Sequence, residues 1–255
     1  MLPRAIKEVC YDVAEKFVPY SEISICGETF RVPFRLRKWW FQEHEADTMA
    51  FVRMRCKPGM TFIDIGAHFG IYTITAARRV APFGKVISFE PCARTREIFR
   101  AFTSLNGVTG VELREEAVSN TTGVATLFNS GIAGDPANTL VPFEDHPNQA
   151  LTPTLRLDDL EVTRCDLIKM DAEGAEISIF EGATNFLGRH RPEILLSVHP
   201  RQIRCSGRSL KELWDAVSGL GFTTYEHESE VSCDQFLNRE DWFDVVLIRK
   251  APSRQ

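Results

Sequence analysis

The sequence predicts an α/β protein built on a mostly parallel sheet with helices on both faces. Three observations carry this. From residue 61 onward, short apolar runs alternate with stretches of helical spacing. Glycine- and proline-bearing breaks such as "KPG" and "APFG" separate them. Strand–helix alternation also requires crossover connections, which bury a sheet on both faces. A chain of 255 residues, 44% apolar and 25% charged, can close such a core without staples.

Taken in order, residues 4–17 have helical spacing, with Ile6, Cys10, Val13 and Phe17 on one face. "SEISICGETFRVP" reads as a hairpin turning at "CGET", and "EHEADTMAFVRMRC" as a helix stopped by "KPG". Then come the strand "TFIDI", the helix "IYTITAARRV", the strand "KVISFE" and the helix "CARTREIFRAFTSLNG". "VELREEAVS" and "GVATLFN" supply strands, and "CDLIKMDA", "EILLSVH", "TTYEHE" and "DVVLIRK" supply more. "AEISIFEGATNFL" and "SLKELWDAVSGLG" are the helices among them. Residues 1–50 read as an N-terminal helix and hairpin appendage, and residues 51–255 as the main domain. Residues 129–150, rich in Gly, Pro and Asn, are too long for a simple connector and read as a substrate or lid loop.

A net charge of -5 with scattered basic residues argues against nucleic acid as partner. The densest basic stretch, "RVPFRLRKWW", reads as an amphipathic strand with snorkelling stems. No apolar run of about 18 residues exists to span a membrane, and the N-terminus lacks a signal-peptide core. Seven scattered cysteines without a C-x-x-C pair suggest neither a disulfide framework nor a zinc site. The expectation is a soluble, cytoplasmic protein.

"TFIDIGAHFG" carries the first functional signal. In open α/β sheets ligands bind beyond the carboxyl ends of strands, where strand order reverses. A dinucleotide fingerprint would read G-x-G-x-x-G, but Gly66, Ala67, His68, Phe69 and Gly70 give G-x-x-x-G. Asp64 would repel a pyrophosphate yet can pair with an ammonium group. Glu90, ending the next strand in "SFEP", can accept hydrogen bonds from ribose hydroxyls, with Pro91 beside it. Together these describe S-adenosylmethionine better than NAD.

"FIDIGAHFGIYTITAA", "GKVISFEP" and "CDLIKMDAEGAEISIFEGA" resemble the FkbM-type S-adenosylmethionine-dependent methyltransferases. "LNGVTGVELREEAVSNTTG" and "TPTLRLDDL" fit the same pattern, so the resemblance spans residues 45–250. It implies a class I methyltransferase (Rossmann-like) fold, a seven-stranded mostly parallel sheet with an antiparallel last strand. It also implies methylation of a hydroxyl on a sugar or secondary metabolite, so a small-molecule or glycan acceptor. Glu116 and Ala117 fall where such folds contact adenine. Two positions depart from the family pattern: His68, where asparagine is usual, and Ser197, where an acid is frequent.

"DLIKMDAEGAE" places Asp171 and Glu173 at the same sheet edge. Lys169, in a buried strand, needs a carboxylate among Asp171, Glu173 and Glu176. A hydroxyl acceptor needs a base, and His199, closing "EILLSVH", is the first candidate, with an ordinary pKa of about 6.5. Asp171 positions the acceptor and borders the cofactor, while Glu173 and His146 are assigned to substrate. A divalent metal on Asp171, Glu173 and His199 is a second reading, set aside because the sequence spacing is loose. Competing functions are an N-methyltransferase, a non-catalytic cofactor-binding module and, last, a dehydrogenase.

Overall fold

The computed structural model describes residues 20–34, 46–131, 137–142 and 146–249. The helix expected over residues 4–17 lies outside them, as does most of "RVPFRLRKWW". The chain begins with the hairpin β1 (Tyr20–Ile25) and β2 (Glu28–Pro33), then helix α1 (Ala46–Arg55). The alternating part follows as β3 (Thr61–Ile65), α2 (Ile71–Val80), β4 (Lys85–Phe89), α3 (Ala93–Leu105) and β5 (Val111–Arg114). After a small excursion come β9 (Leu167–Asp171), α4 (Glu176–Glu181), α5 (Thr184–His190), β10 (Glu193–Val198), α6 (Pro200–Cys205) and α7 (Leu210–Gly219). The chain closes with β11 (Phe222–Glu226), β12 (Ser229–Glu230), α8 (Cys233–Leu237) and β13 (Phe243–Arg249).

The main sheet has the order β12-β11-β13-β10-β9-β3-β4-β5. Strands β10, β9, β3, β4 and β5 are parallel, while β13 runs antiparallel to both β10 and β11. The sheet therefore has eight strands where seven were implied, the extra one being the two-residue β12. From β3 the chain builds outward to β4 and β5, then returns to place β9 and β10 on the other side. This reversal opens the crevice between the ends of β3 and β9.

The two sheet faces bury different partners. Ile63, Ile87, Ile168, Met170, Ile194 and Leu196 pack with Ile177, Phe180, Phe186 and Leu213 on one side. On the other, Phe62, Val86, Leu167 and Leu195 pack with Val52, Ile74 and the hairpin residues Ile25, Phe30 and Val32. The hairpin is thus part of the core rather than an appendage, and a boundary at residue 50 cuts through α1. Buried Glu28 fastens it, ion-paired to Arg53, Arg78 and Arg79.

The excursion differs from the expected long strand and loop. "VELREEAVS" splits into β5 and a two-residue β6 (Ala117–Val118), which leaves the main sheet. Strand β6 joins β7 (Gly123–Asn129) and β8 (Asn148–Leu155) in a separate three-stranded sheet, order β6-β8-β7. The expected loop is therefore the connection of a β7–β8 hairpin, pinned midway by a bridge between Phe128 and Thr139. "AEISIFEGATNFL" is likewise two helices, broken at Gly182.

Candidate active site

Above the carboxyl ends of β3, β4, β9 and β10 lies a cavity of about 690 Å³. Its walls include Gly66, Ala67, His68, Glu90, Pro91, Glu116 and Ala117 at one end. Lys169, Asp171, Glu173, Ser197 and His199 line the other, and Ala137 to Leu140 from the β7–β8 connection close over them. His146 is buried and is not among the lining residues, so the structure does not bring it to the site expected for substrate. Gly70 and Asp64 are absent from the lining too.

The turn after β3 is made by the main chain. Gly66 and Ala67 both donate their N–H to Phe89 O, and Gly70 donates to Ala67 O. Gly66 has φ +74°, and a Cβ there would lie 1.8 Å from the carbonyl oxygen of Asp171. Only glycine permits β3 and β9 to approach so closely. Gly70, at φ +87° against the Phe99 ring, starts α2 rather than touching the cavity.

His68 also sits in the left-handed region, at φ +49°, with its ring stacked on Phe69 at 3.7 Å between centroids. Asparagine, usual at this position in the resemblance, and histidine share a tolerance for that conformation. What the position requires is a backbone shape. That shape turns the His68 N–H onto Glu90 Oε2 at 2.9 Å.

Glu90 is almost fully buried, and its other oxygen accepts the Cys92 N–H at 2.9 Å. Burial pushes its carboxyl up to about 7, against the pull of these amides and Arg96. Each carboxylate oxygen takes one amide and keeps a lone pair for a further donor, and Glu90 lines the cavity. Glu116 is held by Arg114, whose guanidinium lowers its carboxyl below the usual range against partial burial.

Asp64 lies one layer below. It is fully buried, accepts from Thr73 Oγ1 at 2.6 Å, and burial raises its carboxyl despite Lys169 nearby. A direct ion pair with a ligand's ammonium, as expected from sequence, is not its geometry here. Register explains the placement: Asp64 pairs with Ser88 and Lys169 across the sheet, on the face that α2 covers.

The opposite end is made by side chains. Lys169, 2% exposed, donates to Asp171 Oδ2 at 2.9 Å and lies 5.0 Å from the Tyr72 ring centroid, which settles its partner. His199 Nδ1 is 2.9 Å from Glu176 Oε1, and Glu176 is 0% exposed. His199 Nε2 lies 3.5 Å from both Asp171 Oδ1 and Glu173 Oε1. Gln202 holds Glu173 Oε2 at 2.9 Å, and Thr139 of the overhanging connection donates to Glu173 O at 2.6 Å.

These contacts correct the protonation reading. Burial lowers the His199 imidazole, but the Glu176 hydrogen bond and three carboxylates outweigh it and push it up to about 9. Glu173 moves up to about 7, chiefly by burial, with His199 opposing. Within this cluster the carboxylates favour the protonated imidazole, and burial favours the protonated form of Glu173. Across the sheet Ser197 donates to Asp244 Oδ1 at 2.6 Å, so a carboxylate stands beside Ser197 though not at it. Glu176, named from the sequence only as a possible partner of Lys169, instead holds His199. Gln202 was missed, since nothing in the sequence marks it and it reaches the site only through the fold of α6.

Six cysteines are free among the described residues, and burial pushes the Cys56 thiol up to about 12. Among the described residues no helix is long and apolar enough to cross a membrane.

The FkbM methyltransferase domain matches residues 64–223, from the acid of β3 into β11. The chain belongs to this family. AMB antimetabolite synthetase AmbE of Pseudomonas aeruginosa is 24% identical over 234 residues, covering 75% of this chain and 10% of that protein. The FkbM chain thus spans about a tenth of that relative's length. A solved FkbM methyltransferase from Methylobacillus flagellatus is 17% identical, covering 79% of this chain and 51% of that one, with TM-score 0.48. An S-adenosylmethionine-dependent O-methyltransferase from Thermotoga maritima is 12% identical, covering 94% and 83%, with TM-score 0.50. The last is a likeness of fold.

Proposed function

We propose that this methyltransferase moves a methyl group from S-adenosylmethionine to a hydroxyl oxygen of a small-molecule or glycan acceptor. The observation that carries the reading is the single cavity joining Glu90 to the acid–histidine cluster of Asp171, Glu173 and His199. When bound, the sulfonium cofactor supplies an electrophilic methyl group. Glu90, which lines the cavity, fits it through the lone pair left on each carboxylate oxygen, one for each ribose hydroxyl. The turn at Gly66, Ala67 and His68, with Pro91, Glu116 and Ala117, would hold the rest.

An alcohol attacks poorly while protonated, and a base within reach contributes roughly 10²–10⁴-fold. Glu173, whose carboxyl burial raises, accepts the hydroxyl proton, with His199 held beside it by Glu176. Asp171, fixed by Lys169, orients the acceptor. Alignment by such fixed groups supplies roughly 7–11 kcal/mol of a displacement barrier. The connection over the cleft excludes water through Thr139 and Leu140.

The test is the purified chain with methyl-labelled cofactor against a panel of sugars and hydroxylated metabolites, with products located by NMR. An O-methyl product supports the reading. Label only on nitrogen, or cofactor binding without transfer to any acceptor, overturns it.

A further inference from the structure

We propose that Asp171, Glu173 and His199 form a binding site for one divalent first-row cation of the Mn²⁺ type, with open positions toward the cavity. The loose sequence spacing that told against a metal disappears in space. One ligand atom from each of the three residues lies within 4.8 Å of the others.

Proximity alone would not distinguish a cation site from a cluster of acids. The division of labour within each side chain does. Asp171 gives Oδ2 to Lys169, and its Oδ1 is buried without a hydrogen-bond partner. Glu173 gives Oε2 to Gln202 and turns Oε1 toward Asp171 and His199. His199 gives Nδ1 to fully buried Glu176 and turns Nε2 the same way. Three groups are each tethered by one atom while the other converges on a common point. A carboxylate on the far nitrogen of a histidine is the usual support of a metal ligand, fixing tautomer and ring orientation.

The distances agree. Nε2 is 3.5 Å from each carboxylate oxygen, equidistant and too long for an N–H···O bond. A single Nε2 proton would draw one acid in to about 2.8 Å and leave the other. Neighbouring ligands around an octahedral ion with bonds of about 2.1 Å stand about 3.0 Å apart, which asks the two His199 distances to contract by about half an ångström within a cluster whose atoms lie within 4.8 Å of one another. One imidazole and two carboxylate oxygens suit Mn²⁺, and three remaining positions would take water or acceptor oxygens. That last role rests on the methyltransferase reading; cation binding does not.

The experiment is an electron paramagnetic resonance titration of the chelator-stripped full chain with MnCl₂. The expected result is one saturable site per chain. Glu173→Gln should weaken it at least tenfold, and Glu176→Gln, which replaces by an amide the carboxylate that meets His199 Nδ1 and the Gly174 N–H, by about 10–100-fold. Gln202→Ala, on the partly exposed start of α6, is the variant least able to disturb folding, with an expected loss of about tenfold. Circular dichroism melts check that each variant is folded. No saturable binding below about 1 mM, or binding equal in all folded variants, overturns the proposal. Calorimetry with S-adenosylmethionine separates the two readings. Cofactor binding without a Mn²⁺ site sinks this inference alone, and a Mn²⁺ site without cofactor binding sinks the methyltransferase reading alone.

Discussion

The two ends of the cavity are built by different means. At the Glu90 end the main chain does the holding: amides of His68 and Cys92 fix the carboxylate, and amides of Gly66 and Ala67 fix the turn. At the Asp171 end side chains do it, with Lys169, Gln202 and Glu176 each fastening one functional group. A site made by main chain presents fixed dipoles to an unvarying ligand and needs particular backbone shapes. A site made by side chains can be retuned by single substitutions without moving a strand.

The sharpest way to break this comparison is Asp171→Asn. The amide oxygen still receives Lys169, so the buried lysine keeps a partner. The expected outcome is a fall in kcat of about 10²–10⁴-fold, with the Kd for S-adenosylmethionine changed by less than about threefold. Single-turnover rates and calorimetry on the same preparation check the two halves. A matching loss in both would mean that the ends are not separable.

The difference in construction also governs what could be read from the sequence. Main-chain geometry leaves marks: Gly66 and the left-handed position at His68 sit where a chain without such a turn would not need them. Glu90 was legible because a strand end in an open sheet is a predictable place. Strands β3, β4, β9 and β10 were legible because they are short, mostly apolar runs buried on both faces. The side-chain end was only half legible. Asp171, Glu173 and His199 stand at strand ends, but Glu176 and Gln202 lie on helices whose rotation no local pattern dictates. Asp64 shows the reverse failure. Its position was readable, but its neighbours Thr73 and Ser88, which turn it inward, come from two other elements. Strand β7 was legible in "GVATLFN", but β8 was not, because the first half of β8 is exposed and leaves no apolar alternation to see.

Gly66 is where the two ends touch, so Gly66→Ala should damage both. The Cβ would overlap the Asp171 carbonyl, and alanine is strained at φ +74°. Strain of about 1–2 kcal/mol and overpacking of about 1–3 kcal/mol predict about 3 kcal/mol lost in urea unfolding. Weaker cofactor binding and slower turnover should accompany it. Unchanged stability would mean that the strands part cheaply and the glycine serves the ligand alone.

The smallest expected effect is on the pH dependence of cofactor binding, and it probes the main-chain end alone. Burial puts Glu90 at about 7 in the free protein. Ribose hydroxyls donate to the ionised carboxylate, so the bound state favours loss of the proton and lowers that pKa. Below about pH 7 binding must therefore expel a proton, and affinity falls; above it the carboxylate is already ionised and affinity is level. Between pH 8 and pH 6 the ionised fraction drops about tenfold, and the Kd should rise by the same factor. Glu90→Gln keeps an acceptor oxygen without a charge, so its Kd should be weaker at pH 8 and flat across this range. Calorimetry in two buffers of different ionisation enthalpy counts the proton directly. A wild-type Kd that ignores pH from 8 to 6 would mean that the amides of His68 and Cys92 hold Glu90 ionised throughout, and that the ribose end is rigid in charge as well as in shape.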